Sequence, residues 1–171
     1  MNHELIVRYI TDDEEEEPSS HWFYKRGINW LSLNEALKEA VLEVTFLDEK
    51  ETLLNVFYGN RDGMELTAVV TTQGEVICKG LLEVTEHIER HNLFIVYFRG
   101  CYANGDLFYY YGLQETADYF MVIDLNGSVI VEPRESHIEY DEEEEAFYIG
   151  SSEEAIPVSE LLEKESINFS W

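Results

Sequence analysis

Basic residues are scarce in this chain. Eleven Lys and Arg stand against 36 Asp and Glu, a formal net charge of −25 over 171 residues. Phosphate contacts need clustered Lys and Arg, so direct binding of nucleic acid is not expected, and neither is an anionic membrane surface. Cysteine is scarce too: Cys78 and Cys101 are the two present, and they read as core thiols of a reducing cytoplasm rather than as a disulfide. No apolar run approaches the roughly 18 residues of a membrane span. The start, "MNHELIVRYI", lacks the basic region and long apolar stretch of a signal peptide. Catalytic signatures are missing as well: there is no Gly-x-Ser-x-Gly, no phosphate-cradling glycine loop, and no reactive-cysteine pattern. These absences predict a cytoplasmic protein that is not an enzyme and uses no cofactor.

What is there supports a folded body. Hydrophobic residues make up 45% and aromatics 13%, which is incompatible with global disorder despite the charge. The length fits a single domain, 1–171, with a sizeable core. A surface this negative speeds encounter with basic partners.

The patterning predicts a mainly β (α+β) fold. "LEVTFL" and "TLLNVFY" flank "DEKE", "ELTAVVTT" and "EVICKG" flank Gln73-Gly74, and "YFMVID" and "SVIVEP" flank Leu125-Asn126-Gly127. "LFIVYFRGCYA" and "DLFYYYGL" flank Asn104-Gly105, a dipeptide that tolerates positive φ at both turn positions. "GNRDG", 59–63, reads as a further turn. One amphipathic helix is predicted near 32–42: Ser32 and Glu35 match a capping box, and Leu33, Ala36, Leu37, Ala40 and Val41 share a face. "PVSELLEKES" predicts a short C-terminal helix with Pro157 in its first turn and Leu161 and Leu162 available to dock.

Two hairpins repeat each other. With Gly74 placed on Gly127, Val70 meets Ile123 and Ile77 meets Ile130; after a small gap His87-Ile88-Glu89 meets His137-Ile138-Glu139. This unit, "VVTTQGEVI", "HIER" and "LFIVYF" in one copy and "VIDLNGSVIVEP", "HIEY" and "AFYI" in the other, resembles the WG-repeat family of short β-rich bacterial repeats over about residues 68–150. Neither copy carries the Trp-Gly or Tyr-Gly pair of the family before its first strand. The resemblance implies antiparallel β units and a protein-interaction scaffold, with no catalytic activity.

Candidate metal and catalytic groups weigh little. His87 and His91 in "HIERH" meet on one face only if the segment is helical, and Glu89 falls one position late for the zinc-protease pattern. "DLNGSVIVE" lacks the ligand spacing of a calcium loop. Ser136 and His137 are chain neighbours, which point to opposite faces of a strand. No metal site is expected.

The acidic blocks carry the functional expectation. Asp12, Asp13, Glu14, Glu15, Glu16 and Glu17 form one; Asp141, Glu142, Glu143, Glu144 and Glu145 form the other. Both lie between predicted strands, so a folded body holds them. From Arg134 onward twelve acidic residues face two bases. Adjacent carboxylates repel by roughly 1 kcal/mol per close pair in water, a cost that a basic partner removes. In the repeat alignment the second block occupies the position where the first copy reads "ERHN", mixed in charge. Tyr109, Tyr110 and Tyr111 supply aromatic anchors for the same partner. The overall profile is similar to that of bacterial toxin immunity proteins. It implies an inhibitor that covers the substrate-binding surface of a basic, nuclease-type toxin. A phage anti-defence mimic of nucleic acid and a repeat scaffold are the alternatives.

Overall fold

The computed structural model describes residues 6–9, 26–28, 30–61, 64–103, 106–108, 117–151, 154–164, 166–168 and 171. Among them the protein is mainly β, with antiparallel pairing throughout and two short helices. The chain divides into two compact units, Met1–Gly80 and Leu81–Trp171.

In the first unit β1 (Ile6–Tyr9) and β2 (Arg26–Ile28) pair as a ribbon. Helix α1 (Trp30–Leu37) leads into a four-stranded sheet of β3 (Glu43–Phe46), β4 (Leu53–Arg61), β5 (Met64–Thr71) and β6 (Val76–Gly80), in that spatial order. Alternation puts Val44, Leu54, Val56, Ala68 and Val70 on one face of that sheet, where they form one core cluster with Leu33, Leu37 and Val41.

The helix therefore presents the expected apolar face, but its limits differ. It begins at Trp30, so Ser32 lies inside it instead of capping it. It stops at Leu37 because Lys38 takes a left-handed conformation, φ 58°, which ends helical hydrogen bonding. Val41 reaches the core from outside the helix, its amide donating to Asn34 Oδ1 at 2.8 Å. Lys79 Nζ donates to the Leu37 carbonyl at 3.3 Å, satisfying one of the carbonyls a helix leaves open at that end.

The "DEKE" turn is organised by Asp48. Its carboxylate accepts from the amides of Thr52 and Leu53 at 2.9 and 2.8 Å and from Thr52 Oγ1 at 2.6 Å, so a nearly buried acid has strong partners. "GNRDG" is not a turn over its whole length: Gly59, Asn60 and Arg61 continue β4 opposite Leu66, Glu65 and Met64. Pairing across the sheet outweighs local turn preference there. Asn104-Gly105 lies outside the described residues. Cys78 is a free, fully buried thiol, and burial pushes its pKa up to about 12.

The second unit holds β7 (Leu82–Ile88), a 3-10 turn (Glu89–His91), β8 (Leu93–Ala103), β9 (Asp106–Phe108), β10 (Ala117–Asp124), β11 (Ser128–Arg134), β12 (Ile138–Asp141), β13 (Ala146–Ile149), β14 (Ile156–Pro157), helix α2 (Val158–Leu162) and β15 (Ile167–Asn168). One sheet runs β15-β11-β10-β8-β7, with β9 on β8, and a second runs β12-β13-β14. The core cluster joins Ile88, Leu93, Ile95, Val122 and Val131 of the large sheet to Ile138 and Phe147 of the small one and to Val158 and Leu161 of α2. The C-terminal helix is thus present, with Pro157 as its cap instead of a first-turn residue. Leu161 docks, while Leu162 stays 51% exposed.

The turn glycines of the aligned hairpins, Gly74 and Gly127, have φ of 91° and 74°, a region open to glycine at little cost. Their amides donate to Thr71 O and Asp124 O at 2.9 and 3.0 Å. The aligned isoleucines occupy different stations. Ile88 lies opposite Leu93 beside its hairpin tip, whereas Ile138 lies opposite Ile149 at the far end of its own hairpin.

Candidate functional site: the acidic hairpin tip

Strands β12 and β13 pair with Ile138 opposite Ile149, Glu139 opposite Tyr148, Tyr140 opposite Phe147 and Asp141 opposite Ala146. The second acidic block is therefore the tip of a hairpin. Asp141 Oδ1 accepts from the amides of Glu143 and Glu144, both at 2.9 Å, an Asx turn in which the first acid shapes the backbone of the next ones. Glu145 closes the tip with φ 50°, a conformation that costs a non-glycine residue roughly 1–2 kcal/mol.

Two contacts hold Glu145 there. Its carbonyl accepts from the Val158 amide at 2.9 Å, tying the tip to the start of α2. Its Oε1 pairs with Arg90 Nη1, and His91 Nε2 lies 3.8 Å from the same oxygen. Arg90 and His91 belong to the 3-10 turn between β7 and β8, so the tips of two hairpins meet at Glu145. The Tyr140 ring packs against Phe147 at 5.2 Å and stands nearly perpendicular to the His91 ring at 6.3 Å. Burial, and then the Glu145 charge, raises the Tyr140 phenol above its ordinary value.

The remaining acids point outward. Glu142, Glu143 and Glu144 are exposed, whereas Asp141 and Glu145 are half-buried. Glu144 Oε2 accepts from the Tyr148 hydroxyl at 2.5 Å, which raises the Tyr148 phenol. The site thus presents three carboxylates on a backbone set by two structural ones. Chemically it can attract and hydrogen-bond cationic side chains. Among the described residues no three His, Cys, Asp or Glu side chains converge as a metal group.

The other predicted site residues, Asp12 to Glu17 and Tyr109 to Tyr111, lie outside the described residues. Arg90, His91, Tyr140 and Tyr148 were not among the residues read as functional. Arg90 and His91 stand in "ERHN", the stretch aligned with the acidic block, but alignment implies equivalence and carries no signal that the two stretches touch. Tyr148 is legible as the residue four after Glu144, on the strand that leaves the turn. His87 and His91 do not share a helical face, because His87 is in β7 and His91 ends the 3-10 turn. No helix among the described residues is long and apolar enough to cross a membrane.

Comparison with protein-family models, curated proteins and solved structures found no match for this chain.

Proposed function

We propose that this chain is a cytoplasmic binding protein that inhibits a basic protein, acting as an immunity protein that covers the substrate-binding surface of a nuclease-type toxin. One observation carries the reading: the Asp141 carboxylate is committed to the hairpin's own backbone and that of Glu145 to Arg90 of the neighbouring tip, leaving Glu142, Glu143 and Glu144 exposed. Carboxylates carried on a fixed backbone lose less conformational freedom on binding than those of a flexible run, so more of their attraction to Lys and Arg is retained in the complex. Tyr148, fixed at the edge of the tip by Glu144, adds an amphipathic contact of the type common in interfaces. In this reading binding is the whole activity, with no catalytic step and no cofactor.

The test starts from capture of partners in a lysate of the native host, with elution by rising salt. The reading expects a basic protein released in a salt-dependent way and a toxin or nuclease activity that the chain suppresses. Replacing Glu142, Glu143 and Glu144 by Lys should slow association by about tenfold or more and flatten its dependence on ionic strength. Unchanged association kinetics would sink the assignment of the tip. A host restriction or CRISPR effector as the captured protein would favour the anti-defence alternative, and binding that survives high salt would favour the scaffold.

A further inference from the structure

The second unit contains a cavity of about 230 Å³ between β11, the small sheet and α2, whose lining includes none of Asp141 to Glu145. Its aliphatic lining includes Val129, Val131, Ile149, Ile156, Leu161 and Ile167, all buried or half-buried. Its charged lining residues, Glu132, Arg134 and Lys164, are exposed, so the charge sits at the opening and the apolar surface within. Among the described residues β15 pairs with β11 at Ser128 and Val129, at one end of the cavity lining.

The cations differ in their commitments. Lys164 Nζ is held by Glu160 at 3.1 Å. Arg134 makes no ion pair among the described residues, in a chain with 36 acids to choose from. A guanidinium presents a planar fork that matches a carboxylate, and an arginine at the mouth of an aliphatic cavity matches a molecule with an anionic head and an apolar body. Glu132 at the same opening disfavours a second negative charge on the ligand, which selects a monocarboxylate over a phosphate dianion. Size limits the tail: an apolar cavity of about 150 Å³ takes up benzene, so this one accommodates a chain of roughly eight carbons. Addition of a peptide strand to β11 fits less well, since Pro133 removes a backbone donor from that edge.

We propose that this cavity binds a medium-chain aliphatic monocarboxylate, its head on Arg134 and its tail among Val131, Ile149, Ile156 and Leu161. The inference is independent of the proposed inhibitory role.

Titration of the full chain with octanoate, followed by calorimetry and by methyl resonances, tests it. Saturable binding is expected, with shifts at Val129, Ile149, Ile156 and Ile167. Arg134→Ala should weaken octanoate by about tenfold, the scale of one charge-assisted contact, and Arg134→Lys should recover part of the loss. Octanol and octyl phosphate should bind more weakly than octanoate, and acetate should not saturate. Ile156→Trp, which fills the cavity, should abolish binding while circular dichroism stays unchanged; if that variant does not fold, the Arg134 pair decides. Octanol binding as tightly as octanoate, shifts confined to other residues, or no saturable octanoate binding would overturn the proposal.

Discussion

Two hairpin tips of the second unit share a geometry and differ in charge. Glu89-Arg90-His91-Asn92 joins β7 to β8, and Glu142-Glu143-Glu144-Glu145 joins β12 to β13; each ends on a left-handed residue, Asn92 at φ 54° and Glu145 at φ 50°. Asparagine tolerates that conformation, because its short polar side chain bonds locally. Glutamate does not, and Glu145 remains there with its side chain on Arg90 and its carbonyl on Val158. The lesson is that the acidic tip is assembled against local preference by its mixed-charge neighbour. An acidic run is by itself a solvated surface; this one has an internal frame of Asp141 and Glu145 and an outward set between them.

The largest expected effect comes from removing the floor of the acidic tip. Phe147 is fully buried, and Phe147→Ala should cost about 3–5 kcal/mol in denaturant unfolding; a loss under about 1 kcal/mol would mean that the tip does not rest on this core. Next, Asp141→Ala removes the acceptor of two amides and should cost about 1 kcal/mol. Asn92→Ala should cost a similar amount, about 1 kcal/mol, in the first tip, since alanine suits positive φ worse than asparagine. If both are silent in thermal unfolding, neither turn depends on the residue assigned to it.

A smaller effect is expected for the bridge between the tips. Arg90 and Glu145 are 68% and 38% exposed, so solvent screens their attraction. A double-mutant cycle with Arg90→Ala and Glu145→Gln should give a coupling below about 1 kcal/mol that fades with salt. A coupling independent of ionic strength would contradict an ion pair. Glu145→Asn sharpens the comparison further: it relieves the backbone, removes the bridge, and should leave stability within about 0.5 kcal/mol of the parent and insensitive to Arg90→Ala.

The acidic tip also has a pH signature. The Glu144 hydrogen bond raises the Tyr148 phenol, and burial raises that of Tyr140. With the folded values above the unfolded value of about 10, their contribution to stability is present below that pH and is lost as pH rises through the raised values. Glu144→Gln should let Tyr148 ionise at lower pH in a phenolate absorbance titration, with Tyr148→Phe to assign the transition. An unmoved transition would remove Glu144 as the cause. The smallest effect is reserved for Glu142→Gln, which should change stability by less than about 0.5 kcal/mol. A larger loss would move Glu142 from the outward set to the frame.

Much of the fold was legible because its determinants are local. Alternation along "TLLNVFY" and "ELTAVVTT", the glycines at 74 and 127, and the spacing of Leu33 and Leu37 each act over a few residues. Limits were harder to read. The helix near 32–42 ends early because Lys38 turns left-handed and Asn34 captures the Val41 amide, and Gly59 to Arg61 stay in β4 because β5 pairs with them. Strand β7 was hidden by its polar residues Glu83, Thr85, Glu86 and His87, three of them exposed on a strand that ends the described sheet.

By itself the sequence determined the mainly β character, the helical face, the positions of the glycine turns and a negative charge that sets which partners are attracted. These depend on residue type and short-range periodicity. Only the tertiary structure decided that Asp141 to Glu145 form one hairpin tip, that Glu145 belongs to Arg90, and that Arg134 stands at an aliphatic cavity with no ion pair among the described residues. The tip depends on the pairing of two neighbouring strands, and the other two depend on segments further apart being brought together by a shared core; local preference carries no information about which distant residue will be there.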